Sequence, residues 1–298
     1  MKLLITGCRG QLGRELQKQL ATGHSEIGDI PGCYKNAAVT AVDIDSFDLS
    51  DRAAVLDFIT GGGYDVVFNC AAYTNVNKCE SDYETAYKAN ALAPKYLAEA
   101  CDRTCTKLVH VSTDYVFPGD GTEPYREFDL TGPRSVYGKT KLAGEQFVRE
   151  NCRRYFIVRT AWLYGYIGNN FVKTMLRITR ENGAATVVSD QLGNPTSAAD
   201  VAHHLLLLAA TEFYGVYHCT NSGVCSWYDF TCEIVRLSGI QAQVKPCTTD
   251  EYPTPAKRPA YSALDHMALR ATVGDHMRAW QDALKEYIER LPEEEKKA

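Results

Sequence analysis

Tyr137 and Lys141 stand four residues apart in Ser135-Val136-Tyr137-Gly138-Lys139-Thr140-Lys141, a stretch that reads as helical. Residues at i and i+4 share one helical face, which sets the ammonium beside the phenol. An unperturbed tyrosine titrates near ~10 and is a poor acid at neutral pH. A neighbouring cation favours the phenolate, and each unit of lowering corresponds to about 1.36 kcal/mol of differential interaction. Such a pair can pass a proton to or from a substrate oxygen. The same spacing also arises on any solvated helix, so its meaning depends on what surrounds it.

Upstream, Thr6-Gly7-Cys8-Arg9-Gly10-Gln11-Leu12-Gly13 follows an apolar strand and opens a helix, with glycines spaced G-x-x-G-x-x-G. Gly7 permits a tight turn, Gly10 lets backbone approach a pyrophosphate, and Gly13 lets the helix pack on the strand. The helix start offers free N–H groups and a positive dipole end to phosphates. A second strand should end in an acid that bonds the adenosine ribose, and Asp43 is placed for it, delayed by the polar insert Thr22–Ala38. Asp43 discourages a 2′-phosphate whereas Arg9 accepts one, so NADH and NADPH both stay open. Asp48-Leu49 lie where the adenine would be. Small residues in Cys70-Ala71-Ala72-Tyr73, after the third strand, let backbone lie against the cofactor.

The elements that must position these groups alternate. Strands read at Lys2–Thr6, Thr40–Ile44, Asp65–Asn69, Leu108–Ser112 and Phe156–Thr160. Helices read at Gln11–Leu20, Asp51–Ile59, one long helix near Asp82–Cys101, and the segment carrying Tyr137. Continuous apolar strands between helices predict a Rossmann-type, doubly wound parallel α/β sheet covered on both faces. Further on, helices at Asn170–Arg180, Ser197–Thr211, Ser226–Leu237 and Asp275–Arg290 join short strands at Thr186–Ser189 and Val216–Cys219. Ser238-Gly239 reads as a helix stop, and Pro246, Pro253, Pro255 and Pro259 as punctuation of one long binding loop. The expected division is a cofactor domain over 1–163 with a returning segment at about 196–222, and a smaller C-terminal α/β substrate lobe over 164–195 and 223–298.

Composition narrows the class. The 298 residues, 45% hydrophobic and 23% charged, suit a globular protein with a real core. A net charge of −5 gives no basic footprint for nucleic acid. No apolar run spans a bilayer and no signal peptide precedes the first strand, so the expected location is the cytoplasm. The Glu293–Lys297 charge run reads as a solvated end. Eleven cysteines without a C-x-x-C pair or zinc-like spacing read as reduced thiols, and no metal site follows from the residues. Cys8 and Cys70, near the cofactor loop, are expected to be oxidation-sensitive. His110, His203, His204 and His218 read as structural.

Together the glycine loop, Asn69-Cys70-Ala71-Ala72, Ser112-Thr113-Asp114-Tyr115-Val116-Phe117 and Tyr137-x-x-x-Lys141 resemble the extended short-chain dehydrogenase/reductases. Within them the chain resembles the dTDP-4-dehydrorhamnose reductase family, through Ala71-Ala72-Tyr73-Thr74 and Val136–Glu145. The likeness continues through Arg159–Gly165, Asp190–Thr196 and Arg258–Ser262. The resemblance implies NAD(P)H-dependent reduction of the 4-keto group of a dTDP-6-deoxy-hexulose to dTDP-L-rhamnose. It implies that Tyr137 donates the proton, that Lys141 partners it and holds the nicotinamide ribose, and that Thr113 bonds the substrate carbonyl. Asp114 and Trp162 would contact the sugar or its nucleotide. Ketone reduction builds negative charge on oxygen, which a hydroxyl donor and an acidic phenol stabilise. Thr113 alone could be a strand residue bonding backbone; the pair downstream favours the functional reading. Asp190-Gln191 with Asn194-Pro195-Thr196 reads as a contact between lobes.

Relatives also hold magnesium at a dimer contact involving glutamates, and Glu15 is the matching position, which makes Mg2+ and a homodimer expectations of the resemblance. Asn77 and Ser135 depart from the family pattern without touching the proton path. Two rival functions share the architecture. One is a nucleotide-sugar epimerase or dehydratase that keeps NAD bound; Asp114 permits it, but Tyr115-Val116-Phe117 and Asp190–Thr196 fit a reductase better. The other is a non-catalytic regulatory subunit of the methionine adenosyltransferase type, against which the intact Thr113, Tyr137 and Lys141 argue.

Overall fold

A computed structural model describes residues 1–292 of the chain, so the Glu293–Lys297 run lies outside the described residues. Six parallel strands form the central sheet: β1 (Lys2–Thr6), β2 (Ala38–Val42), β3 (Val66–Asn69), β4 (Lys107–Thr113), β5 (Tyr155–Thr160) and β6 (Gly215–His218). Their spatial order is β6-β5-β4-β3-β1-β2. The order reverses at β1, and a ligand crevice belongs outside the carboxyl ends of the strands at that point. Alternation within the strands explains why both faces are covered. In β1, Leu3 and Ile5 pack with Leu12, Leu16 and Leu205 on one side, while Leu4 packs with Val55, Ile59 and Leu97 on the other. The first layer comes from helices α1 (Gln11–Thr22) and, later in the chain, Ala198–Ala209; the second from α2 (Arg52–Gly62) and α3 (Ala93–Arg103).

Several boundaries move for identifiable reasons. The second strand runs Ala38–Val42 rather than Thr40–Ile44, because its pairing with β1 runs from Lys2 opposite Ala38 to Thr6 opposite Val42, and Ile44, 82% exposed, lies beyond it. The insert after α1 is not merely polar: it makes a two-stranded hairpin, His24–Ser25 with Gly28–Asp29, and then buries Tyr34, whose hydroxyl donates to the Leu206 carbonyl at 2.8 Å. Asp82–Cys101 is not one regular helix. Tyr83–Tyr87 is α-helical, Lys88–Leu92 is a π-helical turn, and α3 follows. Asn90 in that turn accepts from the Tyr73 N–H at 2.8 Å and donates to the Tyr73 carbonyl at 3.1 Å. The extra residue of a π turn serves a local need here, holding backbone at the strand ends.

Helix α4 (Val136–Asn151) carries Tyr137 and Lys141. Ser135 caps it, its hydroxyl accepting the Gly138 N–H at 3.1 Å, an interaction worth about 1 kcal/mol. Beyond β5 a second core gathers Tyr164, Leu176, Phe230, Trp280, Leu284 and Tyr287. Its helices are α5 (Phe171–Asn182), α7 (Trp227–Ser238) and α8 (Trp280–Arg290), while α6 (Ala198–Ala209) is the helix already seen against the sheet. Gly239 ends α7 in the left-handed region, as Ser238-Gly239 suggested. The expected helix Asp275–Arg290 begins only at Trp280, since Asp275 turns its carboxylate to His266 and to the Met277 N–H. Pro246 lies not in a loop but in a strand, Gln243–Cys247, which pairs in parallel with Ala184–Val188 in a sheet of only these two strands. Edge strands tolerate proline because one side of their backbone needs no partner.

Candidate active site

The strand ends converge on one cleft of about 840 Å³, bordered by the phosphate loop, Asp43, Asp48-Leu49, Ala71–Tyr73, Thr113-Asp114, Tyr137, Lys141 and Trp162. The structure therefore brings together every residue assigned above to cofactor or substrate. At one end of the cleft, the first turn of α1 has no side-chain cap on its N–H groups and no acidic residue. Those donors are left for an anion. A Cβ at Gly10 would meet only the Gly7 carbonyl oxygen, at 3.3 Å, so backbone is bare where a pyrophosphate would lie. These residues fit a dinucleotide. Asp43 is less free than expected: its carboxylate accepts the N–H groups of Arg9 and Ile44, both at 2.9 Å. The exposed Arg9 guanidinium pairs with Asp45 at the mouth.

The reacting end is built by close packing. A Cβ at Gly138 would come within 2.2 Å of the Tyr115 carbonyl oxygen, so only glycine lets α4 press onto the turn after β4. That contact carries Tyr137 edge-on against Tyr115, with ring centroids 5.5 Å apart, and brings its phenol to the Thr113 hydroxyl. The Thr113 hydroxyl donates to Asp114 Oδ1 at 2.8 Å and accepts the Tyr115 N–H at 3.2 Å. Burial pushes the Tyr137 phenol above its ordinary value and outweighs the opposing effect of the nearby Thr113 hydroxyl. The expected lowering by Lys141 is not what the structure shows. The Lys141 ammonium instead donates to the Val111 carbonyl at 2.7 Å, and burial brings it down to about 8 although Glu145 opposes the shift.

Asp114 is wholly buried, and burial pushes its carboxyl up to about 6 against the opposing effects of Ser262 and Thr113. Its Oδ2 and the Ser262 hydroxyl are both buried without a hydrogen-bond partner; Ser262 is near enough to be felt electrostatically but does not reach bonding geometry. Trp162 takes a left-handed backbone, φ 45°, a conformation that costs an ordinary residue roughly 1–3 kcal/mol. Its indole stacks face to face on Trp227, centroids 3.5 Å apart, and leaves no room at Gly193, where a Cβ would fall 2.7 Å from the ring. Trp227 was missed by the sequence reading because nothing local ties it to a residue 65 positions earlier. Asn170 was missed likewise: it caps α5 through the Lys173 N–H, and its amide donates to Gln11 Oε1 at 3.1 Å, joining the phosphate loop to the second core.

Burial pushes the Cys70 thiol up to about 12 and raises Cys8 as well, which disfavours the thiolate form that reacts with oxidants. Within one chain Glu15 gathers no set of magnesium ligands around it. It is almost fully buried beside Lys18, and neighbouring Glu26 is held by Arg278 and Arg290. Among the described residues no three His, Cys, Asp or Glu side chains gather to hold a metal. Cations of the protein already balance these acids.

Comparison with known proteins matches this architecture. The family described as "RmlD substrate binding domain" matches residues 1–292. The chain belongs to the dTDP-4-dehydrorhamnose reductase family. A solved dTDP-4-dehydrorhamnose reductase from Clostridium acetobutylicum is 50% identical, with 97% of this chain and 99% of that one covered and a TM-score of 0.91. The reductase from Bacillus anthracis, solved in complex with NADP, is 38% identical over 96% of this chain and 98% of that one, TM-score 0.89. A curated dTDP-4-dehydrorhamnose reductase from Streptomyces griseus is 42% identical, covering 95% of this chain and 91% of the relative. Among the described residues of this family member, no helix is long and apolar enough to cross a membrane.

Proposed function

We propose that the chain reduces the 4-keto group of dTDP-4-dehydro-6-deoxy-L-mannose to give dTDP-L-rhamnose, with Tyr137 as proton donor. The observation carrying this reading is the meeting of Tyr137 and Thr113 at the inner wall of a cleft whose other end is a bare phosphate cradle. Bound there, a nicotinamide dinucleotide supplies the hydride. The residues do the rest. Gly7, Arg9, Gly10, Gln11, Leu12 and Gly13 would take the pyrophosphate, Asp43, Asp48 and Leu49 the adenosine, and Ala71, Ala72 and Tyr73 the underside. Thr113 and Tyr137 present hydroxyls to one carbonyl oxygen. The buried phenol keeps its proton until charge builds on that oxygen, which suits a general acid. Lys141 holds the ribose and offsets the phenolate left behind.

The finer assignments rest on the same site. Arg9 at the mouth, with Asp43 occupied by backbone donors, supports use of NADPH as well as NADH. Residues 1–163 with about 196–222 form the cofactor domain, and 164–195 with 223–298 the substrate lobe; the return of β6 to the sheet and the separate core around Phe230 support that division. A homodimer rests on family membership, and a cytoplasmic location on the eleven free cysteines.

Purified protein given the 4-keto nucleotide sugar should oxidise one equivalent of NADPH or NADH per sugar, followed by absorbance with the two cofactors in parallel. Turnover without net cofactor oxidation would mean an epimerase. A second measurement tests Asp114 as the group accepting a sugar hydroxyl. Because its carboxyl titrates at about 6, it loses its charge as pH falls through that value. The ratio kcat/KM for the sugar should therefore fall below about pH 6, and Asp114→Asn should lower it throughout while flattening that acid limb. An unchanged limb in the variant would remove Asp114 from the role.

A further inference from the structure

Directly behind the reacting groups lies a buried ion pair that the proposed mechanism leaves unused. Glu145, on α4 one turn beyond Lys141, is fully buried, as is Arg159 on β5. The two meet side by side: Arg159 Nε donates to Glu145 Oε1 at 2.9 Å and Nη2 to Oε2 at 2.7 Å. Ser112, the residue before Thr113, donates its hydroxyl to Oε1 at 2.6 Å. Arg159 is fixed in turn by the Glu127 carbonyl at 3.3 Å and by the Phe117 ring, 5.0 Å from its guanidinium carbon. One carboxylate thus joins the strand of Thr113, the neighbouring strand and the helix of Tyr137 and Lys141.

Fork-to-fork geometry makes this pair well satisfied, yet two apolar residues would often hold a core as well. The surroundings of Lys141 suggest why charge is kept. Its ammonium is buried, and its hydrogen bond goes to a neutral carbonyl. The titratable groups around it are Tyr137 one turn back, Cys70 at the end of β3, His110 within β4, and Glu145 one turn on. Burial disfavours charge on the thiol, on the imidazole and on the phenol. Glu145, one helical turn on, is the anion felt by Lys141, and Arg159 and the half-exposed Arg149 both pair with its carboxylate.

We propose that Glu145, oriented by Ser112 and Arg159, is a positioning residue that supplies the counter-charge for the buried ammonium of Lys141. Through Lys141 it governs the pH range over which the reductase works. This rests on the reading that Lys141 must be cationic to assist Tyr137.

The test is the pH profile of kcat/KM with saturating NADPH. In Glu145→Gln the alkaline limb should move to lower pH by about one unit or more, the scale on which one close opposite charge acts. Since that variant strands the buried Arg159 and can fail to fold, the double variant Glu145→Gln/Arg159→Met decides the matter: both charges go together, and the limb should still lie acidward of the parent, by less than in the single variant. A purely structural pair would lower the melting temperature and leave the limb in place, and that result overturns the proposal. Lys141→Met separates the two claims. If it keeps the parent's rate and limb, the reading of Lys141 is wrong. If it is inactive while the double variant keeps the parent's limb, only the role of Glu145 falls.

Discussion

Tyr137→Phe is expected to lower kcat for the keto sugar by about 10²–10⁴-fold, the usual contribution of a positioned general acid, while cofactor affinity stays essentially unchanged. The change removes one oxygen and keeps the ring that packs against Tyr115 at 5.5 Å, so the fold around α4 should persist. The buried phenol holds its proton more firmly than free tyrosine does, and it gives that proton up only as negative charge grows on the substrate oxygen. In the variant Thr113 can still serve that oxygen once its single proton turns from Asp114 Oδ1 to the substrate, which sets the residual rate. Stopped-flow turnover with a parallel fluorescence titration of NADPH measures both quantities. Full activity in the variant would remove Tyr137 from the proton path, and lost cofactor binding would mean that the ring, not the hydroxyl, matters.

This picture differs from the one that spacing alone suggests. Four residues on a helix bring Lys141 to the correct face, but spacing is silent about depth. Both groups are buried, burial disfavours the phenolate and the ammonium alike, and the lysine turns to a strand carbonyl in the structure. Local pattern carried most of the sheet, because the strands of a doubly wound sheet are short apolar runs between helices. It failed where tertiary demands override periodicity. The π turn at Lys88–Leu92 exists to let Asn90 clasp Tyr73, seventeen residues earlier. The Gln243–Cys247 strand exists because Ala184–Val188 offers a partner, despite Pro246. The cleft was legible wherever a residue ends or closely follows a strand, as at Gly7, Asp43, Ala71, Thr113 and Trp162. Trp227 and Asn170 were not, since each reaches the site from the second core.

The phosphate loop offers a contrast in which neighbouring glycines should fail in different ways. Gly7 sits at φ 64°, and a Cβ there would lie 2.7 Å from the Ala71 nitrogen and 2.9 Å from the Cys70 carbonyl carbon. A left-handed backbone costs an ordinary residue roughly 1–2 kcal/mol and overpacking a further ~1–3, so Gly7→Ala should lose about 2–5 kcal/mol of stability. None of the atoms in the way is a side chain able to move aside, so β1 and β3 must part at the switch point. Gly10 has an extended backbone, φ −68° and ψ 167°, with open space beyond the Gly7 carbonyl oxygen. Gly10→Ala should therefore stay within about 1 kcal/mol of the parent in stability. Its methyl group would stand in the cradle, and affinity for NADPH should fall at least roughly tenfold, about 1.4 kcal/mol. Thermal melts with and without cofactor distinguish the two: Gly7→Ala lowers the melting temperature of the free protein, whereas Gly10→Ala mainly loses the rise that cofactor brings. If Gly10→Ala gained as much from NADPH as the parent does, the pyrophosphate would have to lie elsewhere in the cleft, and the loop would be a plain strand-to-helix turn.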